Sequence, residues 1–346
     1  MMRWIIRLAV VLALAGAAVG GFLLWAHSRL GTPGPAVAPV TVIVPHGTGS
    51  SAIAQQLQEA GVIDASWLFL LGAKMTGHQP LQAGEYAFPA QVSLASVIDM
   101  MRRGQVVIHK LTFAEGLTVQ QILTQLRQAD GLSGKITLPP EEGSVMPQTY
   151  YYSYGDSRDA VLARMGRAMT ESLDELWPKR SRTLSLTSKM DALILASIVE
   201  RETALPEERP HVAAVFLNRL KLHMRLQSDP TVIYALSNGQ GVLDRPLKHD
   251  DLAMRSPYNT YFSDGLPPGP ICNPGRASIV AVLNPAVSDD LYFVADGTGG
   301  HVFAKTLAEH NRNVTRWRVI NKPGAADDGS QDEEEAPALS KGKTRR

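Results

Sequence analysis

An uncharged apolar stretch near the N-terminus constrains this chain more than any other feature. From Leu8 to Ala26 no residue carries a charge, and as a helix this stretch spans about 28 Å, close to the hydrocarbon thickness of a bilayer. Trp4 and Trp25 lie near its ends, where aromatic rings favour the interface, and Arg3 and Arg7 precede it. The pattern predicts a single-pass anchor in the cytoplasmic membrane with its N-terminus inside.

The alternative interpretation of this stretch is a cleaved secretory signal. The apolar region of such signals has about 7 to 15 residues, which is shorter than the stretch observed. Both interpretations place the rest of the chain outside the cytoplasm.

Length and composition constrain the rest of the chain. The 346 residues correspond to about two folded domains. The 34 Lys and Arg residues nearly balance the 33 Asp and Glu residues, so the chain has no net positive field for nucleic acid. Because Cys272 is the single cysteine, an internal disulfide and a cysteine-based zinc site are excluded.

Besides the anchor, we expect two segments that have no hydrophobic core of their own, namely a linker and a C-terminal tail. The anchor and a cytoplasmic stub occupy 1–28, and a Pro- and Gly-rich linker occupies 29–40. At the other end, 323–346 carries a run of acids and then basic residues, with Leu339 as its one large apolar side chain. Such a segment buries too little apolar surface to order itself, so we predict a disordered charged tail.

The first folded segment begins with a strand at Val40. Helical periodicity, with glycines or serines at the expected ends, then predicts helices at 50–61, 65–77 and 93–104. The residues LQAGEYAFP at 81–89 are interpreted as a turn between the second and third helices.

A second copy of the first strand and helix comes next in the chain. Residues 41–63 align with 110–132, and Gly47 falls on Gly116. The second copy also has a capping box at 118–121. The repeat predicts a small α+β module that either contacts an extended polymer or packs on the main domain as a spacer.

The helix that begins at Ser188 carries the candidate catalytic residue. Its sequence, SKMDALILASIVERET, is mostly apolar until Glu200, which falls on the same helical face as Leu193 and Ala196. A carboxyl among such side chains is desolvated, which favours the neutral form that a general acid requires. The alternative is a structural ion pair with an arginine such as Arg219.

Two polar segments after this helix are candidates for substrate binding. Asp229 lies in a turn before an apolar helix, and is either the N-cap of that helix or a second catalytic carboxylate. The loop at 256–275 is rich in proline, glycine, tyrosine and amide side chains. Such side chains suit a carbohydrate cleft, although a rigid wall around the core is the alternative. The candidate binding residues are Gln227, Ser228, Asp229, Tyr258, Asn259, Thr260 and Asn273.

The last ordered stretch, from 277 to 317, closes an α+β domain. Its pattern predicts helix, strand, Gly-rich turn, strand and helix. The turn GTGGH lacks the Lys-Ser/Thr of a phosphate loop, and His301 and His310 have no acid cluster beside them in the sequence. We therefore expect no nucleotide, no metal and no other cofactor.

Several of these segments together resemble the YceG-like family of endolytic murein transglycosylases. In chain order they are ASIVERET, VFLNRL, LQSDPTVIYAL, SPYNTY, GLPPGPICNPG and LYFVADGTGGHVFAKTLAEHN. Their order and spacing also match, and the resemblance covers about residues 40–318. It implies an α+β fold with a LysM-like module at 41–108 and a catalytic domain at 109–322, and it implies that Glu200 is the catalytic residue.

The resemblance also implies a reaction and a location. Members of the family cleave the bond between N-acetylmuramic acid (MurNAc) and N-acetylglucosamine (GlcNAc) within nascent peptidoglycan strands, at the outer face of the cytoplasmic membrane. The muramic acid's own 6-hydroxyl attacks and leaves a 1,6-anhydro end, so a single carboxyl can act as acid and then as base. The implied partners are glycan strands and the membrane, with peptidoglycan synthases as a further candidate.

Two other functions are compatible with the residue pattern. A hydrolytic muramidase would use Glu200 as the acid and Asp229 as the base, and would consume water. A glycan-binding scaffold would bind strands without cutting them. A cysteine hydrolase built on Cys272 would need a nearby base, which the sequence does not identify.

Overall fold

The computed structural model describes residues 2–77 and 79–320, so the predicted tail at 323–346 lies outside the described residues. The described residues divide into two compact units, one that ends at Ser288 and one that begins at Asp289. The helices are α1 (Met2–Leu30), α2 (Ser50–Glu59), α3 (Ser66–Met75), α4 (Leu94–Arg103), α5 (Val119–Gln128), α6 (Arg158–Leu176), α7 (Lys189–Glu202), α8 (Arg209–Lys221), α9 (Asp229–Leu236), α10 (His249–Leu252), α11 (Arg276–Leu283) and α12 (Leu307–Ile320). The strands are β1 (Val40–Val44), β2 (Gly84–Phe88), β3 (Ile108–Thr112), β4 (Thr149–Ser153), β5 (Tyr292–Ala295) and β6 (His301–Ala304).

The strands form three antiparallel pairs, β1 with β2, β3 with β4, and β5 with β6. Helices separate and cover these pairs, so the predicted mixture of helices and strands is confirmed. The helix α1 is long and apolar enough to cross a membrane, and the apolar part of it is not buried against the protein.

The C-terminal end of α1 is part of the first folded segment. Leu30, only 3% exposed, joins the hydrophobic core that includes Phe69 and Ile98. Gly72 makes room for it, because a Cβ at that position would lie 2.6 Å from Leu30 Cδ2. The segment after Leu30 is also held, since the Gln91 N–H donates to the Ala36 carbonyl at 2.7 Å. The predicted linker segment therefore packs against the first module.

The first module has the order β1, α2, α3, β2, α4. The prediction of a turn at 81–89 was wrong, because this segment contains strand β2, which pairs with β1. The alternation of GEYAF carries Tyr86 and Phe88 into the core, where both are fully buried. The period-two alternation covers only five residues, begins with a glycine and is followed by a proline. The sequence therefore indicates this strand only weakly.

The predicted repeat is present in the backbone. Gly47 and Gly116 occupy the turns after β1 and β3 with φ values of 83° and 80°, a left-handed conformation that favours glycine. The capping box of α5 is also confirmed, because the Thr118 N–H donates to Gln121 Oε1 at 2.9 Å and the Thr118 hydroxyl accepts from the Gln121 N–H. The second copy packs its own core around Ile122.

The helices α7, α8 and α11 build the interior around the candidate catalytic residue. Every residue of α7 from 192 to 199 is buried, and Ser188 with Asp191 caps its start. The loop before α11 is bonded to this helix, because Ser197 Oγ accepts the Ile271 N–H at 3.0 Å and the Cys272 thiol donates to the Ser197 carbonyl at 3.3 Å. The last turn of α7 is thereby fixed against the loop that ends at α11.

The second unit consists of β5, β6 and α12 in its described part. The predicted Gly-rich turn connects the two strands, as expected. Asp296 holds the turn by accepting the backbone N–H groups of Thr298 and Gly300, and these bonds keep the pKa of Asp296 below its usual value.

We expect Leu30→Ala to destabilise the first module, since it leaves a cavity beside Gly72. The expected loss is about 2–5 kcal/mol, the usual range for a buried leucine. Val37→Ala is the matched control, because Val37 is 92% exposed. Thermal unfolding of both variants checks this, and equal unfolding temperatures would show that the end of α1 is not part of the core.

Candidate active site

The carboxyl of Glu200 is buried and held through both of its oxygens. Its side chain is 5% exposed at the last turn of α7. Arg209, from the start of α8, donates from Nη2 to Oε1 at 3.1 Å, and the Gly275 N–H donates to Oε2 at 2.8 Å. The arginine that pairs with Glu200 is thus Arg209, whereas Arg219 donates to the Leu226 carbonyl at 2.8 Å.

A second carboxyl, Glu115, shares the same arginine. It lies in the glycine turn before α5, is 42% exposed, and has Oε2 at 3.4 Å from Arg209 Nη2. Burial and the nearby Glu200 raise the pKa of Glu115, while Arg209 opposes them. Sequence reasoning missed this residue, because it is far from Glu200 along the chain. The one feature of the sequence that could have indicated Glu115 was its position in the turn of the second repeat.

Asn273 connects three segments around this cluster. Its fully buried side chain donates from Nδ2 to the Leu117 carbonyl and to Glu142, both at 3.0 Å, and accepts the Val145 N–H at 3.2 Å. Because Gly275 is two residues further along, these bonds also fix the N–H that binds the catalytic candidate.

Glu142 is a third carboxyl that the sequence did not single out. It accepts hydrogen bonds from the Val119 N–H at 3.0 Å and from the Tyr234 hydroxyl at 3.4 Å, besides the one from Asn273. Burial nevertheless raises the pKa of Glu142 to about 7, although these bonds oppose the shift. With Tyr234 and Tyr258, whose ring centroids are 5.0 Å apart, it lines a polar groove of about 530 Å³.

The turn at Gln227, Ser228 and Asp229 contacts another part of α7. The Ser228 hydroxyl donates to Glu202, and Asp229 Oδ1 accepts from the Tyr261 hydroxyl at 2.6 Å. The helix α9 begins at Asp229 with Ser228 in the cap position, so the interpretation of Asp229 as the cap was wrong. Gln227 and Asp229 are exposed, while Ser228 is buried.

The predicted loop residues divide into buried and accessible side chains. Thr260 Oγ1 accepts the Ser228 N–H at 2.9 Å, and the Asn259 amide donates to the Leu252 and Met254 carbonyls. Both side chains are fully buried, whereas Tyr258 is half-buried in the groove. The structure therefore brings Tyr258 together with Glu142 and Thr260 together with the turn before α9, whereas Asn259 is bonded to the segment around Leu252 and Met254.

These observations define an α+β protein with an N-terminal apolar helix, a buried carboxyl paired with an arginine, and a tyrosine-lined groove whose Glu142 is bonded to Asn273 in the loop that also holds that carboxyl. The chain belongs to the YceG-like family, whose model matches residues 42–316.

Named relatives support this membership. An endolytic murein transglycosylase of Bacillus subtilis is 32% identical over 331 residues, which cover 86% of this chain and 91% of that protein. A protein of the same name from Streptococcus pneumoniae is 30% identical over 320 residues, which cover 80% of this chain and 58% of the relative. The crystal structure of a YceG-like protein from Listeria monocytogenes has a TM-score of 0.50 at 31% identity, and the match covers 79% of this chain and 98% of that chain.

The raised pKa of Glu142 predicts a pH-dependent stability. A carboxyl with a pKa of about 7 in the fold and an ordinary value of 4.5 binds more protons when folded, so stability falls as the pH rises from about 4.5 to 7. Relative to Glu142→Gln, the wild type should lose up to about 3 kcal/mol across this range.

Unfolding temperatures of the two proteins at pH 5 and pH 8 measure the effect. The exposed neighbour Glu141 supplies the control, because Glu141→Gln should follow the wild type. If the unfolding temperature of Glu142→Gln depends on pH in the same way as that of the wild type, Glu142 does not cause the loss of stability.

Proposed function

We propose that this protein is a membrane-anchored lytic transglycosylase that cuts within nascent peptidoglycan strands. It cleaves the bond between MurNAc and GlcNAc and leaves 1,6-anhydro-MurNAc ends, which helps to terminate strand elongation. The observation that carries the proposal is the buried Glu200 carboxyl, bonded to Arg209 and the Gly275 N–H, in a family with relatives named endolytic murein transglycosylases.

Glu200 performs both proton transfers in this proposal. In its neutral form it donates its proton to the glycosidic oxygen, and the bond from that oxygen to C1 of MurNAc breaks. The 6-hydroxyl of the same sugar attacks C1, and the Glu200 carboxylate accepts the hydroxyl proton. The enzyme returns to its starting protonation state and no water is consumed. The intramolecular position of the hydroxyl replaces the second carboxyl that an ordinary glycosidase needs.

The predicted binding residues take two roles in the proposal. Gln227, Asp229 and Tyr258 have accessible side chains and contact the glycan, where tyrosine rings stack on sugar faces. The buried residues have internal partners and hold the walls of the cleft. These residues are Ser228, Asn259, Thr260 and Asn273.

The module at 41–108, which contains the first strand and helix unit, is the LysM-like part of the proposal, and the second unit belongs to the catalytic domain at 109–322. The first unit, β1 to β2, has two helices between paired strands, and the second brings its glycine turn to α7.

The helix α1 supports the proposed location at the membrane. Leu30 packs in the first module, and the rings of Phe22 and Trp25 stack with Trp67 of α3 at centroid distances of 6.4 and 6.3 Å. Aromatic rings at the end of an apolar helix favour the membrane interface. This arrangement supports an anchor that holds the enzyme at the outer face of the cytoplasmic membrane, near the peptidoglycan synthases that make its substrate.

We expect Glu200→Gln to keep the fold and glycan binding but to lose the general acid. Turnover of purified glycan should fall by a factor of about 100 to 10,000, the usual contribution of such a group. Glu171→Gln, an exposed carboxyl on α6, is the control and should keep full activity. Near wild-type turnover of Glu200→Gln would refute the assignment.

Asp229→Asn should reduce turnover much less, and a loss as large as that of Glu200→Gln would favour a two-carboxylate muramidase.

Removing the anchor should separate catalysis from location. A variant that starts at Ala26 retains Leu30 in the core, so it should be soluble and still cut glycan in vitro. Exported at matched abundance, it should leave fewer anhydro ends in the wall, because tethering raises the effective concentration at newly made strands. Equal numbers of anhydro ends from both forms would show that α1 serves only for export.

A further inference from the structure

The aromatic cluster at the end of α1 contains one ring that comes from the first module. Trp67, in the first turn of α3, stacks on Trp25 and Phe22 of α1, with ring centroids 6.3 and 6.4 Å apart. Each of these three residues is 44–48% exposed, although tryptophan is well buried in most folded proteins. The first module therefore presents an exposed aromatic ring beside the apolar helix.

Two contacts fix the direction of α3 relative to α1. Trp67 lies beside Trp25, and Gly72 lies beside Leu30, so an equal step along both helices leads from one contact to the next. The two helices therefore run in the same direction over this stretch. The uncharged run of α1 ends between the two contacts, so α3 begins at the level of that run and leads away from it. Its last residue, Met75, lies about 12 Å beyond Trp67 along the helix.

The length of α1 determines the depth of these rings. The uncharged run spans about 28 Å, close to the thickness of the hydrocarbon core of a bilayer. If α1 spans the bilayer, the last turn of this run lies at the outer edge of the hydrocarbon. Phe22 and Trp25 occupy that turn, and Trp67 stacks on both of them. The Trp67 ring therefore reaches the same boundary.

The surface next to the rings is polar. A hollow of about 380 Å³ beside Trp25 and Trp67 is also lined by Arg29, Thr32 and Asp64. The Arg29 guanidinium lies 5.7 Å from the Trp25 ring centroid, one helical turn further along α1. Aromatic rings next to polar and charged groups suit the boundary between acyl chains and headgroups better than either hydrocarbon or water.

We propose that the first module docks on the membrane surface, with the first turn of α3 inserting the Trp67 ring into the headgroup boundary of the outer leaflet beside the anchor. The partner is the lipid surface, because the contacts with α1 already place the ring at this depth. The inference rests on the proposed function, since it takes α1 as an uncleaved anchor. Two attachment points, α1 and Trp67, hold the module in one orientation on the membrane.

The test measures the depth of nitroxide spin labels on the full chain in vesicles of phosphatidylethanolamine and phosphatidylglycerol. Labels are attached to Trp67→Cys, Met75→Cys or Leu14→Cys, one variant at a time. Collision with oxygen, which is concentrated in the bilayer, is compared with collision with a water-soluble nickel chelate. Cys272 is fully buried, so the wild type treated in the same way is the blank.

The label at position 67 should collide mainly with oxygen, and the label at position 75 mainly with the nickel chelate. Their depths should differ by up to about 12 Å, the distance along α3. The label at position 14 should lie within the hydrocarbon. Asp64→Cys provides a second measurement that keeps all three rings, because Asp64 is exposed and lines the same hollow. Its label should also lie closer to the bilayer than the label at position 75.

The outcomes separate docking from anchoring. Labels at positions 64 and 67 that collide mainly with the nickel chelate, with position 14 in the hydrocarbon, would overturn the docking and leave the anchor intact. A label at position 67 that is shielded from both reagents would show that protein covers this site, and would also overturn the docking. If the label at position 14 lies outside the bilayer, the anchor of the proposed function fails and the docking fails with it.

Discussion

The bond between the buried Glu200 carboxyl and its two donors is the constraint on which the rest of the structure depends. A carboxyl removed from water must be hydrogen-bonded, or its burial costs several kcal/mol. Arg209 and the Gly275 N–H meet this requirement from two different segments, the start of α8 and the loop before α11. Both segments must therefore be placed accurately against the last turn of α7.

The surrounding hydrogen bonds provide that placement. Ser197, one turn before Glu200, bonds to the loop at Ile271 and Cys272, and Asn273 ties the same loop to the second repeat. These buried hydrogen bonds all involve the short backbone stretch from Ile271 to Asn273. Since low dielectric strengthens satisfied networks and penalises broken ones, this stretch should be among the more rigid parts of the molecule.

Sequence reasoning succeeded where the signal is local and failed where it depends on distant segments. The start of α7 and the capping box at Thr118 follow from residues a few positions apart, and both are present. Glu115 and Glu142 come close to the site only through tertiary contacts, which no periodicity encodes. Asp229 illustrates a third case, because Ser228 and Asp229 are both acceptable before a helix, and the bond from Tyr261 accompanies a start one residue earlier than expected.

If the 6-hydroxyl of MurNAc is the nucleophile, cleavage consumes no water, and an oxygen label in the solvent shows whether water takes part. Purified glycan strands would be cut in oxygen-18-labelled water and the new ends analysed by mass spectrometry. We expect MurNAc ends that are one water lighter than reducing ends and carry no labelled oxygen. Reducing ends that carry one labelled oxygen per cut would contradict it, because water rather than the sugar's 6-hydroxyl would then be the nucleophile.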